Sequence, residues 1–258
     1  MAQYLVQDST LTGIADAIRG KTGNASSIAV KDMAAAIAAL DAGSGVSRDM
    51  EDALVGGGIA GNYTNTRVDY VRMHAFSYME ELLSVELPNV FVAGEAAFSG
   101  CTALKRVSIP EAITVGPHVF SRCSSLTDVQ LTKLNHLGEY MFWKCTALKT
   151  IALPAATAAY GEEFCECTAL ETADFSALGN ISDRMFMDCT SLTALILRGS
   201  SVPSLSATAP FLNTPIASGT GYIYVPSSMM SDYESDSAWS KYAGQIRALE
   251  TYTGEVDS

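Results

Sequence analysis

Apolar positions in the middle of this chain return every 22 residues. Phe76, Phe98, Phe120, Phe142, Phe164 and Phe186 mark the period. Three residues after each stands Met79, then Cys101, Cys123, Cys145, Cys167 and Cys189. Six residues after each stands a leucine, from Leu82 to Leu192. Each unit reads Phe-x-x-Cys-x-x-Leu-x-x-φ-x-φ, with φ apolar, and Pro88, Pro110 and Pro154 close three of them. The φ-x-φ alternation predicts a short strand with one buried face. Proline lacks the N–H that a ladder needs, so it belongs where pairing stops. A second apolar pair follows, such as Val90 with Ala93 or Leu134 with Leu137. Gly94, Gly116 and Gly138 come next, read as corners with positive φ. An unbroken period of roughly 20–29 residues predicts a solenoid, each coil resting on its neighbour.

The two ends follow other patterns. Leu11, Ile14 and Ile18 form one stripe behind the capping residues Ser9 and Thr10. Met33, Ile37 and Leu40 lie on one face of a second helical segment. Two such short helices do not make a stable domain alone, so these six residues are the expected oligomer or attachment face, with a trimer favoured. At the far end the run from Tyr222 to Pro226 reads as a last strand. Trp239, Tyr242, Ile246 and Leu249 at helical spacing predict a helix that covers the final coil. The predicted organisation is a two-helix module over 1–42, a linker over 43–65, the solenoid over 66–226, and a cap helix and tail over 227–258.

Composition narrows the function. Hydrophobic residues make up 48% and charged residues 17%, which fits a folded chain with a continuous core. The net charge of −12 is spread along the chain. No basic stripe is present to displace counterions from phosphates, which argues against nucleic-acid binding. The first residues show neither a basic n-region nor an apolar h-region, and no stretch is long and apolar enough to insert in a membrane. The expectation is a protein made in a cytoplasm. Five of the six cysteines share one column, which predicts a ladder of reduced, buried thiols, with Cys165 outside it as the reactive one.

Catalytic signatures are missing. There is no Gly-x-Ser-x-Gly elbow, P-loop or His-Glu-x-x-His. Carboxylate pairs such as Glu162–Glu163 read as solvated edges, and His74 and His118 as exposed loop residues. No catalytic residue, metal site or cofactor is expected.

The run from Val115 to Leu131, Val-Gly-Pro-His-Val-Phe-Ser-Arg-Cys-Ser-Ser-Leu-Thr-Asp-Val-Gln-Leu, resembles the BspA-like (Treponema pallidum type) leucine-rich repeat. The resemblance covers residues 66–226 and implies a right-handed solenoid of parallel strands. Such repeats occur in bacterial surface proteins, adhesins and phage-encoded proteins. The opening run from Leu11 to Gly23 resembles the N-terminal module of tail and virion proteins of phages and prophages of Gram-positive bacteria.

Two surfaces are candidates for binding. Between the strand φ positions lie Glu86, Ser108, Gln130, Ala152, Asp174 and Ile196, a small, polar face. Around the Phe turn, Arg122, Tyr140, Trp143, Lys144, Tyr160 and Met187 form an edge of aromatic, sulfur and basic groups. Exposed aromatics mark interfaces more often than random surface does. The competing reading has Trp143 simply covering the coil beside it. Together these observations predict a non-enzymatic phage or prophage virion protein. Its solenoid would contact a host-surface protein or glycan or other virion components, and release would follow host lysis. A purely structural decoration or scaffold protein, or a bacterial cell-surface adhesin, are the alternatives.

Overall fold

A computed structural model describes residues 59–254. The module predicted over 1–42, with its face of Leu11, Ile14, Ile18, Met33, Ile37 and Leu40, lies outside the described residues. The rest is a stack of coils built from short parallel strands, with few helices. Each coil supplies one strand at φ-x-φ and a shorter one at the second apolar pair. The first set is β1 (Gly61–Thr64), β3 (Leu82–Glu86), β5 (Arg106–Ser108), β7 (Asp128–Gln130), β9 (Thr150–Ala152), β11 (Thr172–Phe175), β13 (Ala194–Leu197) and β15 (Tyr222–Val225). The second set is β2 (Tyr70–Val71), β4 (Val92–Ala93), β6 (Thr114–Val115), β8 (His136–Leu137), β10 (Ala158–Ala159), β12 (Asn180–Ile181) and β14 (Ser204–Leu205). Register follows the repeat, so Val85 lies beside Val107 and Val107 beside Val129.

The Phe turns form a third line of contact. Phe76 N–H donates to Ala97 O at 2.7 Å, Phe98 to Val119 O at 2.9 Å, and the pattern continues to Phe186. The rings behind it are fully buried and stacked, with centroids 4.9 Å apart for Phe76–Phe98 and 5.4 Å for Phe142–Phe164. Such pairs add about 0.5–1.5 kcal/mol each beyond area burial. All six cysteines are free and buried. Within the column each thiol donates to the carbonyl of a Phe one coil back, as Cys145 Sγ does to Phe120 O at 3.1 Å. Burial pushes the Cys101 thiol up to about 11 and raises those of Cys123 and Cys145 well above the ordinary thiol value, so the column holds thiols rather than thiolates.

Several sequence expectations change. Gly94, Gly116 and Gly138 do not have positive φ. Their role is close approach: a Cβ on Gly116 would stand 2.4 Å from Glu95 N, and one on Gly94 2.5 Å from Met73 N. A seventh stacked ring was missed. Phe211 lies 5.8 Å from Phe186 at an interplanar angle of 6°, but it follows after 25 residues, so the strict period passes over it. The C-terminal segment is not one helix. It comprises α1 (Pro215–Ser218), α2 (Met230–Ser235), a 3-10 turn over Ser240–Gln245, and then β16 (Ile246–Ala248), which pairs with β15. Ile246, assigned to a helix stripe, therefore extends the sheet. Trp239 is fully buried over the end of the core, with its indole N–H donating to Pro203 O at 2.7 Å. The face between the strand φ positions is not open throughout. Ile196 is fully buried and Asp174 nearly so, and Tyr252 reaches back to Thr172.

Both strand ladders contain one seam. In the first, β1-β3-β5-β7 form one sheet and β9-β11-β13-β15-β16 another. Elsewhere on this face Leu87 N–H bonds Ser108 O, Ile109 N–H bonds Gln130 O, and Leu153 N–H bonds Asp174 O. Among the described residues, Leu131 N–H and Ala152 O make no such bond, and neither do Lys149 N–H and Thr127 O. In the second ladder β10 does not pair with β12 through the backbone alone. Asn180 fills in, accepting from Ala159 N–H at 3.0 Å and donating to Ala159 O at 2.7 Å.

Glu163 adds a side-chain link across this seam, to Ser182. It occupies a column held elsewhere by Ala97, Val119, Met141 and Met185, and it is fully buried, unlike the solvated carboxylate expected from the sequence. Its Oε1 accepts from the N–H groups of Tyr160 and Gly161, the latter at 2.5 Å, and its Oε2 accepts from Ser182 Oγ at 2.5 Å. Desolvation raises its pKa to about 7 despite these donors.

Candidate binding edge

The Phe turn places two residues of every coil in the left-handed region, at the second position before Phe and the second after it. The first column is His74, Ala96, His118, Tyr140, Glu162 and Arg184. The second is Tyr78, Gly100, Arg122, Lys144, Glu166 and Asp188. Non-glycine residues rarely adopt positive φ. Here each such turn is held by a backbone bond to the next coil, such as Arg122 N–H to Trp143 O at 2.6 Å. The turn buries Phe, Cys and the residue before Phe; the residue after Phe is buried at Ser99, Ser121 and Cys165 and half-buried at Trp143 and Met187. Side chains from successive coils therefore meet in rows.

Four of the six sequence-predicted edge residues come together. Trp143 is half-buried, with the Arg122 guanidinium 4.8 Å and the Lys144 ammonium 4.5 Å from its ring centroid. Tyr140 meets it edge-on at 6.2 Å. Tyr160 does not join this cluster through any ring contact with Trp143. It is exposed and stacks on His136 at 6.1 Å. Met187 is half-buried two coils beyond Trp143 in the same column. Cys165, in that column between them, is almost fully buried. Burial, with Glu162 and Glu166 nearby, pushes its thiol up to about 12. The expectation of a reactive thiol is thus overturned.

The acidic half of the edge escaped sequence reasoning. Glu166 Oε1 accepts from the Trp143 indole N–H at 3.1 Å, and its Oε2 lies 3.4 Å from Lys144 Nζ. Glu162 accepts from Tyr140 Oη at 3.1 Å and pairs with Arg184 at 3.0 Å. His118 stacks on Tyr140 at 4.7 Å. Reading each column at the 22-residue interval would have found these partners, since Lys144 is followed by Glu166 and Tyr140 by Glu162. The edge combines a flat aromatic face, two cations on it and carboxylates that fix their positions. It can bind by stacking, cation–π contact and hydrogen bonding. Among the described residues no group of three or more metal-ligating side chains is assembled, and no helix is long and apolar enough to cross a membrane.

Comparison with known proteins places this architecture. A family model described as BspA type Leucine rich repeat region matches residues 69–193 in six copies. The coils are similar to BspA-type leucine-rich repeats. Among solved structures, the T. pallidum leucine-rich repeat protein is 26% identical, with a TM-score of 0.54, over 59% of this chain and 75% of that one. A leucine-rich repeat protein from Bacteroides ovatus is 18% identical, with a TM-score of 0.46, over 65% of this chain and 50% of that one. A leucine rich cell surface protein from Faecalibacterium prausnitzii is 19% identical, with a TM-score of 0.33, over 66% and 69%. No curated protein matches the chain.

Proposed function

We propose that this chain is a non-enzymatic binding module whose BspA-type solenoid recognises a protein or glycan on a bacterial surface. The observation that carries the reading is Trp143, held between Arg122 and Lys144 at the edge of the stack. A large aromatic in a column that serine occupies at Ser77, Ser99 and Ser121 has a stronger physical reason to be there if it anchors a contact. The edge is polar around an aromatic centre, as interface anchors commonly are. In the finer form of the proposal the carrier is a phage or prophage virion. Residues 1–42 attach the protein to other virion components or trimerise it through Leu11, Ile14, Ile18, Met33, Ile37 and Leu40. This form draws on the resemblance of the opening residues to virion-protein modules.

The test is Trp143→Ser, which restores the residue of three other coils. Adsorption to host cell walls should fall at least ~10-fold while the fold is retained, as expected for loss of a central aromatic anchor. Unchanged adsorption with a lowered melting temperature would make Trp143 a packing residue. Light scattering of the full chain reads the oligomer, and a monomer would remove the trimer from the proposal. Neighbouring tail or capsid reading frames would support the virion carrier, whereas cell-wall-anchoring neighbours would place the module on a bacterial cell.

A further inference from the structure

After β16 the chain doubles back over the outer face of the sheet, through a 3-10 turn over Leu249–Thr251. The Tyr252 ring meets Tyr224 of β15 at 4.8 Å and an interplanar angle of 62°, while its hydroxyl lies 3.4 Å from that of Thr172 on β11. The ring therefore crosses β13, the strand between them. There it passes over Ala194 and Ile196, which alternate with inward Leu195 and so project outward, yet are 5% and 0% exposed. At the same two positions of earlier coils, Arg106 and Gln130 are exposed. Closing the core does not require this cover. Trp239 and Tyr233 already lie buried at its end, 5.2 Å apart, whereas Tyr252 reaches three strands inward from β16. The polar and ring contacts that hold the strap are few. Besides those of Tyr252, the exposed Glu250 carboxylate accepts from Ser227 Oγ at 3.3 Å. A segment tied down by one half-buried ring and one exposed carboxylate belongs to the elements that open at low cost.

We propose that the strap from Leu249 to Gly254 is an internal occupant of a protein-binding face, and that a partner chain docks there by placing a tyrosine of its own where Tyr252 lies. Tyr252 itself identifies the occupant, since it is the group seated on the face. Its ring packs on Tyr224 over the apolar floor of Ala194 and Ile196, and Thr172 supplies a hydroxyl for the phenol. The rim is polar and its charges are engaged. Asp174 holds Arg198 through three contacts of 2.7–3.1 Å, and the Arg247 guanidinium lies 4.5 Å from the Tyr222 ring centroid. An apolar centre inside a polar rim is the anatomy of a protein interface. Beside the covered patch, a cleft of about 690 Å³ at the β7/β9 seam is lined by Val129, Thr150, Asp174 and Arg198 among others. Release of the strap joins the covered patch to this open surface. The proposal is independent of the Trp143 reading, since it uses another face and other groups.

The test supplies the strap in trans. The probe is a capped peptide of its own sequence, Leu-Glu-Thr-Tyr-Thr-Gly, titrated against the full chain and against Tyr252→Ala and followed by NMR. The peptide should bind Tyr252→Ala at least ~10-fold more tightly than the unsubstituted chain, because a face covered most of the time loses apparent affinity in proportion to its open fraction. Shifts should map to Thr172, Ala194, Ile196 and Tyr224. Phenylalanine in place of the peptide's tyrosine should weaken binding ~3-fold or more through the lost hydroxyl contact, and alanine there should abolish it. Amide exchange gives a second reading that needs no variant. In the unsubstituted chain the Tyr252 amide, bonded to Leu249 O at 2.9 Å, should exchange at least ~100-fold faster than the amides of β15, as a locally opening segment does. The proposal is overturned if the peptide binds neither protein or both equally, if its shifts map elsewhere, or if the phenylalanine and alanine peptides bind as well as the parent. It is equally overturned if Tyr252 is as protected as β15, or if Tyr252→Ala loses the fold, since the strap would then be part of the cap of the core.

Discussion

The two seams of this solenoid differ in how far they are closed. Between β10 and β12 Gly179 N–H still reaches Thr157 O, Asn180 serves both groups of Ala159, and Glu163 links Ser182 to the N–H groups of Tyr160 and Gly161. Between β7 and β9 nothing among the described residues replaces the missing ladder bonds, and a cleft remains. The first seam lies against the core, where an unsatisfied polar group costs about 1–3 kcal/mol. The second faces water, which can satisfy the same groups. The same defect therefore demands repair on one side of a coil and is tolerated on the other.

The sharpest way to break the repaired seam is through pH. Glu163 has a folded pKa of about 7, above its ordinary value of 4.5. The folded state thus binds the proton more tightly than the unfolded state. The stability this confers is fully present below pH ~4.5 and is lost as pH rises towards 7, on the order of 3 kcal/mol in all. Denaturant unfolding at pH 5 and pH 8 should show it, and Glu163→Gln should flatten this part of the profile. An identical pH dependence in the Gln variant would remove Glu163 from the account. Next in size, Asn180→Ala should cost about 2–3 kcal/mol by leaving both Ala159 groups unpaired, read from a shift of the urea midpoint at constant slope.

A matched pair across the open seam sharpens the contrast further. Val107→Ala removes a fully buried side chain and should cost about 2 kcal/mol, whereas Val129→Ala, half-exposed at the cleft, should cost about 1 kcal/mol or less. Equal losses would mean that the first ladder closes in solution. Trp143→Ser should cost a similarly small amount, about 1 kcal/mol of stability, from the loss of its two cation contacts. Its consequence should appear in adsorption rather than in melting.

The inward columns were legible because every coil must satisfy the same packing. Phe, Cys and Leu recur at one interval, and the interval alone yields stacked coils with parallel strands. Phe211 was missed because three extra residues precede it, although its ring completes the same stack. Glu163 was misread for the opposite reason. It sits in an apolar column, and its partners, Ser182 and the N–H groups of Tyr160 and Gly161, are set by a local rearrangement where Tyr160 replaces the column glycine. The outward columns vary from coil to coil, so Trp143, Arg122 and Lys144 could be named from their positions in the Phe turns. Their carboxylate partners Glu162 and Glu166 required comparison of one coil with the next. The open seam has no motif at all, since Asp128–Gln130 and Thr150–Ala152 look like any other strand of the series.

A rod joined on three lines and parted on one responds unevenly to load. Along most of the stack a pull from the ends is shared by both strand ladders and the Phe turns. At β7 and β9 the second ladder and the Phe turns carry it alone, on one side of the axis. Tension there becomes bending. The stack should therefore flex first near its middle, at the β7/β9 seam. In stretching experiments with handles at Ile59 and Tyr252, the first and softest extension should come from this joint.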